Sequence, residues 1–409
     1  MSWSILISGE DPTTASGTGA ISRYLADETR GFPSLGYPTK LLSWRQFGQS
    51  GKRKFLIGKQ WFSYDMVTSE WGDNFASNEI IPSTKKYTPD LFMSFGDPLT
   101  FSFVNPSLLY PCEWLVYLAV DSFPIWADYI NMFRNIKYLV VYTKWARGLL
   151  AKYGINTVDI PHGIDLSLFK PLNREQKERL KAKYSLKGKK ILGFVGFNQR
   201  RKRPDLFLEI MSKLVEKDHN YIGLCHTYPF FSQGWTDYPL NIISGFLGTK
   251  DNVFFPQDIG LTKKISFENM WEVYGLMDIL INTSAAGAWE FPLQEACASK
   301  VPFITNDFNA MNELAQRFGQ KAIRPKSLEI AQGLGSNHAV ADVQAFVDEI
   351  INTLDNKVGY NELSEAGYKA VQELSWDKVM TQHWKPYLEG ILPNIPENWL
   401  GELAKIKVK

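Results

Sequence analysis

The sequence predicts an α/β protein of two doubly wound, mostly parallel sheets that face each other across a cleft. Three observations predict it. Short apolar, β-branched runs alternate with amphipathic helical stretches through both halves of the chain. A polar, charge-dense segment, "KPLNREQKERLKAKYSLKGKK" (170–190), separates those halves. The length, 409 residues, suits two ordinary domains that each bury a core.

In the first half the expected strands are "SILIS" (4–8), "TKLLS" (39–43), "LFMSF" (91–95), "WLVYLAV" (114–120), "YLVVYT" (138–143) and "TVDIP" (157–161). Helices are expected from Gly19 to Thr29 and over 147–153. Segment 170–190 reads as a linker carrying a solvated helix, which places the domains at 1–172 and 186–375. The second half offers strands "KKILGFVG" (189–196), "YIGLCHT" (221–227), "VFFP" (253–256), "DILINTS" (278–284) and "PFITN" (302–306). Residues 365–392 keep helical periodicity with no strand after them. Ligands of such sheets sit outside the carboxyl ends of the strands, so the loops there are where chemistry is sought.

Composition narrows the function classes. Lys and Arg number 45 and Asp and Glu 43, a net charge of +2, which argues against a nucleic-acid binder with a basic surface throughout. Any phosphate affinity must come from local clusters. The 14% aromatic content, with 13 Trp, fits thick cores or stacking surfaces for sugars and bases. Cys112, Cys225 and Cys297 are odd in number and far apart, with no disulfide framework or zinc spacing, which suits a reducing compartment. "MSWSILISGED" lacks the basic start and apolar length of a signal peptide. The longest membrane-like run, "LLYPCEWLVYLAVDSFPIWA", is broken by Pro111, Glu113 and Asp121. A soluble, cytoplasmic protein is expected.

Three loops can carry chemistry. In "GEDPTTASGTGAIS", Gly17 and Gly19 let backbone approach a ligand at a helix N-terminus, where amide dipoles favour anions. As a dinucleotide fingerprint the loop fails. Its third glycine position is Ser22, and "TKLLSW" supplies no acidic ribose ligand, so a plain tight turn is the other reading. In "DILINTSAAGAWEFPLQEACASKVPFITND" a strand enters a loop of small residues, Ser284 to Ala288, and Pro292 opens a helix containing Glu295. Loop amides and helix N-terminus form a candidate diphosphate cradle. Glu295 reads either as a favourable charge at the helix dipole or as acceptor for a ribose diol.

The third loop, "GFVGFNQRRKRPD", places Arg200, Arg201, Lys202 and Arg203 after a strand ending at Gly196. A charge run reads as a solvated face or as a phosphate clamp. Its position at a strand's carboxyl end lets it converge with the 284–288 loop. Such cations would neutralise a diphosphate leaving group without a metal. No Asp-x-Asp pair occurs in the chain, so a carboxylate pair of that type is missing.

Taken together these stretches resemble a GT-B glycosyltransferase, similar to glycosyltransferase family 4, over nearly the whole chain. "GTGAISRYLADE" resembles the family's N-terminal glycine loop. "YLVVYTKWARGLLAKYG" with "IPHGIDLSLFKP" resembles the close of the first domain, with His162 where the family has Asn. "GFVGFNQRRKRPDLFLE", "MWEVYGLMDILINTS" and "FPLQEACASKVPFITND" resemble the donor domain. "SWDKV…WKPYL" resembles the C-terminal helix, 376–409, that crosses back to the first of the two Rossmann-like domains.

The resemblance implies a hexose moved from a UDP- or GDP-sugar to an acceptor hydroxyl, with retention, no metal and no further cofactor. Lys202 corresponds to the phosphate-binding lysine and Arg201 to its neighbour. Glu295 corresponds to the second glutamate of a paired motif, the one that holds the ribose. Asp121 falls near the reacting sugar, as general base or as a cap after its strand. The implied catalytic set is Asp121, Arg201, Lys202 and Glu290. Gly17, Gly19, Gly196, Asn198 and His226 join the donor site, as do Gly287, Ala288, Trp289 and Phe291. Two departures stand out: the motif's first glutamate is Gly287 and the arginine after the strand glycine is Phe197. Glu290 is then the nearest replacement carboxylate.

The implied partners are the nucleotide sugar and a glycan, lipid-linked or protein acceptor, with peripheral membrane contact but no stable nucleic-acid binding. Three alternatives differ in class. One is a nucleotide-sugar- or glycan-binding protein without turnover, motivated by Gly287. Another is an NAD-dependent enzyme, motivated by "GTGAIS". The last is a DNA-base glycosyltransferase using Lys52–Lys54 and Lys85–Lys86 on the DNA backbone.

Overall fold

A computed structural model describes residues 3–14, 16–45, 49–57, 60–233, 236–261, 270–331 and 335–392. The first half forms β1 (Ile5–Glu10), β2 (Thr39–Trp44), β3 (Gly51–Ile57), β4 (Gln60–Thr68), β5 (Leu91–Gly96), β6 (Glu113–Leu118), β7 (Tyr138–Val141) and β8 (Val158–Asp159). They make one sheet in the order β3-β4-β2-β1-β5-β6-β7-β8. Every pairing is parallel except that of β3 with β4. β1 and β5 are buried along their whole length, as parallel strands covered on both faces are.

The hairpin of β3 and β4 has no counterpart in the expected strands. β3 is "GKRKFLI", with alternating burial, and its lysines blunt the exposed edge of the sheet. At the other edge, the strand expected over 157–161 shrinks to Val158–Asp159, because Pro161 has no N–H to give to a ladder.

The second half forms β9 (Lys190–Val195), β10 (Tyr221–His226), β11 (Val253–Phe254), β12 (Ile279–Asn282), β13 (Phe303–Asn306) and β14 (Lys321–Ile323). These make an all-parallel sheet in the order β11-β10-β9-β12-β13-β14. A small antiparallel pair follows, β15 (Ser327–Ile330) and β16 (Asn337–Val340).

Strand order fixes where a ligand can sit. β1 has β2 on one side and β5 on the other, and β9 has β10 and β12. The chain runs from β1 to β2 but from its neighbour β5 to β6 on the other side, and likewise from β9 to β10 but from β12 to β13, which opens a crevice at their carboxyl ends. The loops after β1 and after β9 are therefore the two switch points of the molecule.

Helix Gly17–Leu25 starts at Ser16, whose hydroxyl accepts from Gly19 N at 2.8 Å, and it stops short of the expected Thr29. Helix Arg174–Lys183 carries a full capping box. It is not fully solvated: Lys177 and Lys181 reach Asp278 at 3.0 and 2.8 Å and tie the segment to the second sheet.

Helix Lys357–Val371 stays on the second half, where Glu365 pairs with Lys300 and Tyr360 donates to Asp278 O, and helices Trp376–Val379 and Lys385–Ile391 return to the first sheet. Trp376 stacks on Tyr24 with centroids 4.9 Å apart, and buried Trp384 packs its edge against Phe32 and Tyr117. A Cβ on Gly163 would lie 2.4 Å from the Trp376 ring, so only glycine lets the strap close here. Residues 393–409 of the expected crossing segment lie outside the described residues. Among the described residues no helix is long and apolar enough to cross a membrane.

Candidate active site

A cleft of about 700 Å³ opens where the carboxyl ends of the two sheets meet. Both switch-point loops line it. The loop after β1 is braced by Glu10, which accepts from Ser16 Oγ at 2.6 Å and from the Thr18 hydroxyl, and which pairs with Arg45 at 3.7 Å. Gly17 faces the cleft, and a Cβ there would lie 2.9 Å from the Phe291 ring. The two halves touch at that point because the side chain is absent.

After β9, Arg200–Lys202 turn once and Arg203 enters the left-handed region at φ 52° before Pro204 opens the next helix. This turn throws consecutive basic residues in different directions. Arg203 leaves the cleft to pair with Asp205 at 2.8 Å. Arg201 points across it: Nη1 donates to Ala286 O at 2.7 Å, and Nε lies 3.7 Å from Asp121 Oδ2 on the opposite wall. Lys202 Nζ donates to both oxygens of Glu290 at 2.6 Å. Burial lowers the Lys202 pKa against the pull of Glu290. Burial also opposes the Arg201 charge, but Asp121, Glu290 and Asp97 outweigh it and raise the guanidinium pKa.

The third wall is the segment before helix Phe291–Ala298. Glu290 is 2% exposed and receives Lys202, with Arg201 Nη1 at 3.5 Å and Asn282 Nδ2 at 3.4 Å. A Cβ on Gly287 would stand 2.2 Å from Glu290 Oε1. The Glu290 carboxylate thus fills the space into which a side chain at 287 would project. Glu295 sits one turn into the helix, where Tyr274 donates to its Oε2 at 2.6 Å. Burial pushes its pKa up to about 7.

Most residues singled out in the sequence come together here. Asp121, Arg201, Lys202, Glu290 and Glu295 line the cleft, as do Gly17, Gly196, His226, Ala288, Trp289 and Phe291. Gly19, Asn198 and Gly287 do not. Gly19 is consumed in the helix cap, and Gly287 lies behind Glu290. The buried Asn198 amide donates to Tyr228 O and Tyr238 O at 2.8 and 2.7 Å, which braces the loop after β10. His226 is buried, and burial lowers its pKa to about 4. Phe197, in place of the arginine, forms an exposed aromatic edge with Tyr228.

Sequence reasoning passed over two groups. Asp97 follows β5 in "SFGDP" and lines the cleft, and its carboxyl pKa is raised by burial and then by Asp121. Its signal was available: an acid directly after a strand that flanks a switch point. The other is His162, which in the sequence stands only as a departure from the resemblance. Its Nδ1 lies 3.0 Å from the Tyr117 hydroxyl, whose one proton goes to Ile160 O at 2.7 Å. Nδ1 therefore carries the hydrogen and donates. Burial holds the ring neutral, so Nε2 is a bare acceptor, buried without a partner among the described residues.

The two walls are held together around this site. Asn309 Nδ2 donates to Asp121 O at 2.8 Å, and Asn337 N donates to Phe123 O at 2.7 Å. Glu313 caps the N-terminus of helix Lys144–Ala151 through Lys144 N and Trp145 N. The chain thus combines two doubly wound sheets, a cleft at their facing switch points and a C-terminal strap back to the first. The fold is that of the GT-B glycosyltransferases.

Solved structures agree over almost the full chain. A sucrose-phosphate synthase from Thermosynechococcus elongatus matches with TM-score 0.74 and 15% identity, covering 96% of this chain and 100% of that one. A glycosyltransferase from Rickettsia africae matches with TM-score 0.67 and 16% identity, covering 95% and 98%. HepE of Anabaena, solved with UDP and glucose, matches with TM-score 0.67 and 12% identity, covering 95% and 100%. No protein-family model matches the chain, and no curated protein does.

Proposed function

We propose that the protein is a retaining glycosyltransferase that moves a hexose from a UDP- or GDP-sugar to an acceptor hydroxyl without a metal ion. The observation that carries this reading is the convergence of Arg201 and Lys202 with the N-terminus of helix Phe291–Ala298 and Glu295 in one cleft. Similar folds have been solved with UDP and with UDP-glucose, which supports the donor class.

In this reading residues 1–172 form the acceptor-side domain and 186–375 the donor-side domain. Glu295 accepts from the ribose diol. Arg201, Lys202 and the Ala288 end of the small-residue loop face the diphosphate, while Gly196, His226, Trp289 and Phe291 shape the donor pocket. Glu290 takes the part of the carboxylate that Gly287 lacks. The bond from the anomeric carbon to the diphosphate breaks, and the acceptor oxygen bonds that carbon on the same face. The acceptor proton passes to a departing diphosphate oxygen, with Asp121 orienting the hydroxyl. The diphosphate also completes the electrostatics, since its charge beside Lys202 offsets the burial that weakens the ammonium. The family 4 resemblance implies this course, and fixed cations at the leaving group make it feasible without a metal.

Three buried, unpaired cysteines suit a reducing compartment such as the cytoplasm. A thermal-shift screen of UDP, GDP and NAD tests the donor class. UDP or GDP at about 100 times its dissociation constant should add about 2.7 kcal/mol of stability. Stabilisation by NAD alone would overturn the reading.

A further inference from the structure

The two walls of the cleft differ in charge and in hydrogen-bonding character. On the wall from the first sheet, the described residues supply three carboxylates, Glu10, Asp97 and Asp121, against one guanidinium, Arg45. Glu10 is used up internally, bound by Ser16, Thr18 and Arg45. Asp121 shares its charge with Arg201 at 3.7 Å. The Asp97 carboxyl makes no hydrogen bond or ion pair among the described residues, although it lines the cleft.

Deeper in the same cleft, Tyr142 packs on His162, with ring centroids 4.1 Å apart. The Tyr142 hydroxyl is turned away to Tyr117 O. His162 offers the bare Nε2 lone pair, fully buried and with no partner among the described residues. Arg45, paired with Glu10, is the one basic side chain among the described residues of this wall; beside Asp97, Asp121 and His162 the open side-chain groups are acceptors and the unspent charge is negative. The cations at the reacting centre stand on the other wall, and both already face carboxylates.

We propose that this wall receives an acceptor whose reacting end donates hydrogen bonds and carries no anionic group, a polyhydroxyl or amino-sugar end rather than a phosphorylated one. The inference rests on the glycosyltransferase reading and narrows its substrate class. Hydroxyl or ammonium groups give Asp97 and His162 Nε2 the protons they lack. A phosphate offers only acceptors at neutral pH, leaves those groups unpaired and meets like charge from Asp97 and Asp121. Discrimination thus comes from rejection as well as attraction.

Calorimetric titration of the protein near neutral pH tests this, after saturation with UDP or GDP. The probes are glucosamine, glucose and glucose 6-phosphate. Glucosamine should bind about ten-fold or more tightly than glucose 6-phosphate, and Asp97→Asn should shrink that gap while leaving UDP or GDP affinity unchanged. Equal or tighter binding of glucose 6-phosphate overturns the proposal, as does a preference that survives in Asp97→Asn. If the nucleotide binds and none of the sugars does, this inference falls while the donor site stands. If neither UDP nor GDP binds, the glycosyltransferase reading falls first and takes this inference with it.

Discussion

The ammonium of Lys202 lies 2.6 Å from each carboxylate oxygen of Glu290, and Glu290 is only 2% exposed. The basic cluster that the sequence places at a strand mouth is therefore part of a buried ion pair. Lys202 cannot be removed without stranding a carboxylate. Lys202→Ala should lower stability by roughly 3 kcal/mol, at the low end for a broken buried pair because Arg201 remains nearby. Adding Glu290→Gln should restore part of the melting temperature but none of the turnover. Thermal unfolding of the two single variants and the double variant checks this, and an unchanged melting temperature for Lys202→Ala would contradict it.

Gly287 gives a second handle on the same pair. A methyl group there would lie 2.2 Å from Glu290 Oε1, inside any allowed contact. Gly287→Ala should push Glu290 off Lys202 and cost about 1–3 kcal/mol, as overpacking of a filled space does. Turnover should fall with it. A variant of full stability and full turnover would mean that Glu290 is free to move aside.

The sequence carried the alternation of strand and helix, and so both parallel sheets, because buried parallel strands such as "SILIS" and "DILIN" are nearly uninterrupted apolar runs. It did not carry the β3–β4 hairpin. "GKRKFLI" is half exposed and charged, and its pairing is decided by the partner strand rather than by its own composition. Glu295, Arg201 and Lys202 were legible because their loops follow strands. Asp97 was equally well placed but has no glycine or basic run beside it to draw notice. The pairing of Lys202 with Glu290 was hidden, since it joins residues 88 positions apart.

Glu290 has a kinetic signature of its own. Glu290→Gln removes a negative charge from beside the two cations proposed to hold the diphosphate. Affinity for UDP or GDP should hold or rise, while turnover falls by about ten-fold to a hundred-fold if the carboxylate serves the transferred sugar. Nucleotide titration and steady-state kinetics separate these effects. Equal turnover in variant and wild type would remove Glu290 from the reaction.

Glu295 predicts a pH dependence. Its pKa of about 7 lies above the ordinary glutamate value, with burial as the largest cause. The folded protein thus holds this proton more tightly than the unfolded chain. The group's contribution to stability is full below the unfolded pKa and is lost as pH rises through about 7. The proposed ribose binding runs the other way, because a diol donates best to a carboxylate. Nucleotide affinity should increase from about pH 6 to about pH 8, with proton release on binding, and Glu295→Gln should abolish both. A pH-independent affinity in the wild type would leave Glu295 with only its helix-dipole role.

The most direct measurement is release of nucleoside diphosphate from a panel of UDP- and GDP-hexoses in the presence of EDTA, with nucleotide binding followed in the same samples. The account predicts that at least one donor is turned over, that EDTA does not change the rate, and that Lys202→Ala lowers it by about 2–4 kcal/mol of transition-state stabilisation. Nucleotide binding without release from any donor would contradict it and leave a nucleotide-sugar-binding protein on a glycosyltransferase fold.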